Sequence, residues 1–274
     1  MCDHHDDTAK RVNRRTAMRA GAATLAAGAA VAAAGSPALA AGKGKYADPA
    51  KPALPKTGVE ITLADTALVV IDPQVDFLSP KGVTWKVVGQ SVTEHNTVPN
   101  IGRLFAAAKA KGMTVAISPH YYYPTDHGWK FSGPLEKLMH KIGMFDRKGP
   151  LNTDGFENSG ADFMPQYKKY IHDGKTIIAS PHKVYGPETN DLDLQLRKNG
   201  ISKIILAGMS ANLCVQAHLY NLLERGYQIA VVRDATAAAK LPEGDGYMAA
   251  LINFRYVANG LITTDEAVKA IQKA

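Results

Sequence analysis

Six short runs along the chain are almost continuously apolar and rich in Val and Ile: residues 66–71, 113–118, 175–180, 203–207, 228–232 and 260–263. A strand facing a core on one side alternates apolar and polar positions. Continuous runs instead predict strands covered on both faces. Segments with helical spacing lie between them. Residues 98–111 put Ile101, Leu104 and Phe105 on one face and stop at Gly112. Residues 189–199 carry Leu192, Leu194 and Leu196 and stop at Gly200, and residues 213–225 stop at Gly226. Residues 245–254 and 265–273 complete the set. Helices that end in Gly just before the next strand follow the helix-to-strand turn pattern of α/β proteins. The alternation predicts an α/β fold with a parallel sheet and right-handed crossovers.

Two stretches break the rhythm. Residues 119–174 form a long connection that holds Tyr121, Tyr122, Tyr123, Trp129, Phe131, Phe145, Phe156 and Phe163. Long connections are functional or disordered, and this aromatic content argues against disorder. The segment is read as a lid-like insertion with a helical piece over residues 133–142. Residues 41–60 contain Gly42, Gly44, Pro49, Pro52 and Pro55 without apolar periodicity and are read as a linker or arm. The principal domain then spans residues 61–274.

The first forty residues read as a targeting segment rather than as fold. Asn13-Arg14-Arg15-Thr16-Ala17-Met18 is a twin-arginine pattern, a weakly apolar Ala/Gly run follows, and Ala38-Leu39-Ala40 matches a small-residue cleavage site. A membrane span needs about twenty strongly apolar residues, which this run lacks. The expectation is a Tat-type signal over residues 1–40 and a periplasmic or secreted protein that leaves the membrane once the signal is removed. Losing that segment takes away five basic and three acidic residues, so the formal charge falls from +7 to +5. The surplus is spread thinly, and no basic block interleaved with aromatics is present. Nucleic acid is therefore excluded as a partner and a solvated surface is expected.

Of the two cysteines, Cys2 falls in the targeting segment and leaves Cys214 alone. A single thiol is either a small buried hydrophobe or a reactive group. Its position discriminates. In an open parallel sheet, ligands bind beyond the carboxyl ends of the strands, at the point where strand order reverses. Asp72 follows the first strand, His182-Lys183 the third, and Cys214 the fourth, after a turn through Gly208. An acid, a cation and a thiol at three strand ends make a nucleophilic site. Each has a structural reading of its own: a buried cysteine, a turn-capping aspartate, a solvated lysine. Their joint placement favours chemistry. A helix start and a nearby Lys183 are expected to lower the thiol pKa, Asp72 to move the proton, and amides in the turn 209–214 to bind an oxyanion.

Two stretches carry a family resemblance. Val69-Val70-Ile71-Asp72-Pro73-Gln74-Val75-Asp76-Phe77 resembles the opening motif of the isochorismatase-like cysteine hydrolases, which include nicotinamidases and N-carbamoylsarcosine amidases. Gly208-Met209-Ser210-Ala211-Asn212-Leu213-Cys214-Val215 resembles their nucleophile motif, and Arg225-Gly226-Tyr227 and Val231-Val232-Arg233-Asp234-Ala235 their continuation. The resemblance covers roughly residues 65–239. It implies a three-layer, six-stranded sheet of Rossmann-like order, an Asp72–Lys183–Cys214 triad, a cis Met209–Ser210 peptide and oxyanion donors at Ser210 and Cys214. It also implies a homo-oligomer and a small-molecule substrate. Asp76 is assigned a turn-capping role only.

The sequence departs from that pattern at the metal. Nicotinamidases of this family use an Asp-Xaa-His pair after the second strand, whereas Ser118-Pro119-His120-Tyr121-Tyr122-Tyr123 lacks it. No metal and no cofactor is assigned, with His120, Asp126 and His127 left as the donors of another site. His120, Tyr121, Tyr123, Trp129 and Tyr185 are the candidate substrate wall, packing of the lid being the other reading. The leading expectation is C–N cleavage of a small amide or ureido compound through a thioester on Cys214. Vinyl-ether hydrolysis through Asp72, or non-catalytic binding, are the alternatives.

Overall fold

The computed structural model describes residues 44–55 and 57–274. The twin-arginine segment and its cleavage site lie outside the described residues.

Strand β1 (Thr66–Ile71) is buried at every position. Its neighbours are β2 (Thr114–Ser118) and β4 (Lys203–Gly208), both parallel to it, with Val69 opposite Ala116 on one side and Leu206 on the other. With β3 (Ile177–Ile178), β5 (Gln228–Thr236) and β6 (Gly260–Ile262), these make a six-stranded parallel sheet in the order β3-β2-β1-β4-β5-β6. The chain therefore winds outward from β1 in one direction and returns to its other side at β4. Between β1 and β4 the strand order reverses, which leaves a crevice beyond their carboxyl ends.

Helices cover the sheet, as the unbroken apolar strands require. Helix α1 (Trp85–Glu94) and α2 (Thr97–Ala110) precede β2, and α3 (Pro134–Lys141) lies in the long connection. Helix α4 (Leu192–Lys198), α5 (Gln216–Glu224), α6 (Gly246–Val257) and α7 (Thr264–Lys273) follow the later strands. Helices α2 and α7 pack on each other and on β5, while α4 packs on β2. Helix α1 is the element that apolar periodicity did not reveal, because Gly89 interrupts it. The glycine is required there: the Trp85 indole folds over it, and a Cβ would come within 2.6–2.8 Å of that ring.

The connection between β2 and β3 is built into the core rather than laid over it. Tyr122, Phe145, Phe163, Met164 and Tyr167 are buried in the same apolar cluster as Leu68, Val70 and Ile117 of the sheet. Strand β3 is correspondingly short, two residues against the six expected, and its outer side carries a half-open Ile178.

Gly208 ends β4 with φ +114°, in the region open mainly to glycine, and a Cβ there would collide with the Ile71 backbone. That contact is what lets Met209 N–H donate to Ile71 O at 2.9 Å and turns the chain toward the crevice. Gly208→Ala is expected to cost at least about 2 kcal/mol. Gly200→Ala, also at positive φ but with open space around it, should cost about 1 kcal/mol. Urea denaturation of both variants measures the difference.

Candidate active site

Four strand ends deliver four buried side chains to the crevice. Asp72 follows β1, His120 follows β2, His182 follows β3, and Cys214 follows β4 by way of a π-helical turn, Ala211–Val215, that runs into α5. Each is at most 3% exposed. His120 and His182 continue the parallel ladder past the ends of β2 and β3, so both rings enter from the same side. Asp72 has φ +46°, a strained setting for a non-glycine residue. Its N–H donates to Ser118 O at 3.0 Å, which fixes the backbone while the side chain faces inward.

The central contact is between Asp72 and His182. His182 Nε2 lies 2.8 Å from Asp72 Oδ1, with both side chains wholly buried. The Cys214 sulfur stands beside them: one donor atom from each of Asp72, His120, His182 and Cys214 lies within 4.8 Å of the others. Burial pushes the Cys214 thiol well above its ordinary pKa, and the charge on Asp72 pushes the same way. The backbone N–H groups of Ser210 and Cys214 face the sulfur and oppose that rise, but they do not outweigh it. The resting group is therefore a neutral thiol with a carboxylate at hand to take its proton. The Met209–Ser210 peptide is cis, as the family resemblance implied.

Lys183 is not where the sequence reading put it. Adjacent residues leaving an extended strand point to opposite sides. His182 takes the inward direction, and Lys183 turns away. Its Nζ donates to Tyr121 O at 2.9 Å, pairs with Asp126 and sits 3.6 Å from the centre of the Tyr123 ring. No lysine bonds Asp72 among the described residues, and no cation lowers the thiol pKa. The imidazole of His182 occupies the position next to Asp72 that the lysine was expected to hold. Strand-end placement marked the dipeptide His182-Lys183 but could not say which of its members faces in.

Other candidates scatter. The set His120, Asp126 and His127 does not converge: Asp126 is held by Lys183, and His127 lies 2.8 Å from Asp146. Tyr121 stacks edge-on to Phe156 beneath Arg147, and Trp129 packs on Tyr122 and His140. These aromatics pack the insertion. Tyr185 is partly open; burial raises its pKa, and Glu136 and Cys214 push the same way, which sets it near the sulfur. Asp76 caps as expected, accepting from Phe145 N–H at 2.8 Å and Val83 N–H at 3.3 Å.

Two residues escaped the sequence reading. Gln74, buried, donates through Nε2 to His120 O and Ala161 O and accepts from His120 N–H, all at 2.8–2.9 Å. It ties the exit of β1 to the exit of β2 and to the insertion, and its place in the β1 motif was the available signal. His218, one turn past Cys214, has Nδ1 2.7 Å from Cys214 O and Nε2 2.8 Å from Ser118 Oγ. Burial holds it well below the usual imidazole range, so it is a neutral strut under the turn that carries Cys214.

Because the thiol is raised rather than lowered, its alkylation should accelerate as pH climbs past 9 and show no plateau near 7. The unfolded chain, whose thiols ionise near 8.5, should react faster at pH 8. Iodoacetamide rates on native and urea-unfolded protein test both statements. A native rate already saturated by pH 8 would show a thiolate instead.

Comparisons with known proteins identify the family. An uncharacterized isochorismatase family protein, YecD of Escherichia coli O157:H7, is 43% identical over 181 residues, covering 66% of this chain and 84% of its own length. A ureidoacrylate amidohydrolase, RutB of Variovorax paradoxus, is 26% identical over 200 residues, covering 69% of this chain and 75% of its own length. A solved cysteine hydrolase from Pseudomonas syringae pv. phaseolicola superposes with a TM-score of 0.66 at 21% identity, over 81% of this chain and 99% of that one. The isochorismatase domain model matches residues 66–266, the stretch running from the first residue of β1 into α7. On this ground the chain belongs to the isochorismatase family and is a hydrolase.

Proposed function

We propose that this chain hydrolyses the C–N bond of a small amide or ureido compound, with Cys214 as nucleophile. The carrying observation is the neutral Cys214 thiol set against the Asp72–His182 pair, with the amides of Ser210 and Cys214 turned toward the sulfur. The similarity to a ureidoacrylate amidohydrolase favours a ureido or amide substrate over an enol ether.

The chemistry follows from the placement. As Cys214 Sγ bonds to the carbonyl carbon, its proton passes to Asp72. The carbonyl oxygen takes the electron pair and is met by the Ser210 and Cys214 amides, which need no reorganisation to receive it. Collapse of this adduct breaks the C–N bond. Asp72 returns the proton to the departing nitrogen, and a thioester or thiocarbamate remains on Cys214. Water then attacks, giving one proton to Asp72, and the C–S bond breaks. Sulfur recovers that proton. His182 touches Asp72 through Nε2 and orients the carboxylate, in the place beside Asp72 where Lys183 was expected.

Cys214→Ala should lower turnover of ureido and amide substrates by about 10³-fold or more while the melting temperature is kept. Mass spectrometry of wild-type protein quenched with substrate should show an acyl or carbamoyl adduct on the Cys214 peptide. Hydrolysis that survives Cys214→Ala would instead favour direct attack by water activated at Asp72.

Export through the twin-arginine route is part of the same proposal. Residues 1–40 fused to a folded reporter should carry it out of the cytoplasm, and replacing Arg14 and Arg15 by Lys should retain it inside. A reporter left inside by the unmodified segment would contradict this.

A further inference from the structure

The proposed hydrolysis uses Asp72, His182 and Cys214 but leaves several buried polar atoms at the same centre idle. Asp72 Oδ2, His120 Nδ1 and His182 Nδ1 have no hydrogen-bond partner among the described residues. Leaving a buried donor or acceptor unpaired costs about 1–3 kcal/mol each, and three within one small volume mark a place where something binds.

The protonation of His120 is fixed by its surroundings. Its Nε2 lies 3.1 Å from Lys183 O. A carbonyl only accepts, so Nε2 carries the hydrogen and Nδ1 presents a bare lone pair. A histidine whose far N–H is held by a backbone carbonyl while its other nitrogen is free is arranged as a metal ligand. Gln74 locks the His120 backbone on both sides, so the ring is preset.

One donor atom each from Asp72, His120, His182 and Cys214 lies within 4.8 Å of the other three, and all four residues are buried. Four-coordinate zinc, with bonds of about 2.0–2.3 Å, needs its ligands about 3.3–3.8 Å apart, so donors as far apart as 4.8 Å must close by about 1 Å, while the Asp72 Oδ1 and His182 Nε2 atoms, at 2.8 Å, must part slightly. One carboxylate oxygen, two imidazole nitrogens and one sulfur suit zinc or a similar transition ion and disfavour magnesium and calcium, which prefer all-oxygen shells. This set differs from the pair sought after the second strand: it is formed by the nucleophile, its carboxylate and two histidines from adjacent strand ends.

We propose that these four residues bind one zinc-like divalent ion, and that the ion and hydrolysis are mutually exclusive. The ion replaces the thiol proton, which leaves to the buffer, and the sulfur becomes a ligand whose lone pair is no longer free to attack a carbonyl. The ion is thus an inhibitor that holds the enzyme in a closed, stabilised form. The inhibitory half of the proposal rests on the hydrolase reading; the binding half does not.

Full-length protein stripped with chelator and titrated with Co²⁺ tests it. The expected result is one equivalent bound, with a near-ultraviolet thiolate-to-cobalt band and the visible bands of a four-coordinate site, both erased by Zn²⁺. Cys214→Ser, nearly isosteric and so expected to fold, should lose the thiolate band. His120→Ala and His182→Ala should weaken binding by about 100-fold or more, with circular dichroism checking their folding. Zn²⁺ should raise the melting temperature of wild-type protein and not of Cys214→Ser. In the activity arm, Zn²⁺ should stop hydrolysis of a ureido substrate and chelator should restore it.

Absence of the thiolate band at excess Co²⁺ would overturn the proposal, as would a band unchanged in both histidine variants. Activity abolished by chelator and restored by Zn²⁺ would overturn the exclusivity. Ion binding without any amide hydrolysis would refute the hydrolase reading and leave the site standing; hydrolysis without ion binding would do the reverse.

Discussion

The contact between Asp72 and His182 governs the rest of the molecule's business end. Two ionisable groups with no solvent access are expensive to bury, and breaking such a pair from one side leaves an uncompensated charge. The fold meets that expense through backbone geometry. β1 is followed by a residue at positive φ, the chain after β3 runs four residues past Ile178 to pair again at His182, and Gln74 stitches the β1 exit to β2. Cys214 is then added from the far side of the sheet's reversal point. The thiol is protonated because of where it sits, and the carboxylate beside it is the reason that state is useful.

The long insertion after β2 serves the same end. Tyr121, Tyr123 and Trp129 in it were read from sequence as a substrate wall, while its neighbouring aromatics Tyr122, Phe145 and Phe163 fill the core beneath the crevice. Tyr122 and Phe145 are wholly buried against His120, so they exclude water from the back of the site. Asp126, in the same segment, neutralises Lys183 and leaves Asp72 with an imidazole as its only close partner of basic type among the described residues. The insertion thus shapes the electrostatics of the centre more than it lines its mouth.

Much of the architecture was legible in the apolar pattern. Four of the six strands coincide closely with their apolar runs, because a strand buried on both faces leaves few polar positions to blur its limits; β5 continues past its run through Arg233 and Asp234 to Thr236. β3 was overdrawn: residues 175–180 are apolar enough, but at the sheet edge only Ile177–Ile178 pair with β2 as a strand. Helix α1 was missed because Gly89 lowers its helical character and its benefit, the Trp85 ring packed above, is a tertiary contact. For the site, Asp72 and Cys214 were found by their strand ends. His182 was found only as the neighbour of Lys183, since which of two adjacent residues points inward depends on register that a short edge strand does not declare. His218 gave no signal at all; a histidine in the middle of a helix reads as surface until its partners Ser118 and Cys214 O are seen.

The neutral, enclosed state of Cys214 also bears on how long the protein lasts. Oxidation to sulfenic and higher acids proceeds through the thiolate and needs access for the oxidant. A thiol that burial keeps protonated, at 3% exposure, offers neither. The sulfur is therefore chemically quiet and can endure peroxide that would consume a permanently ionised thiol.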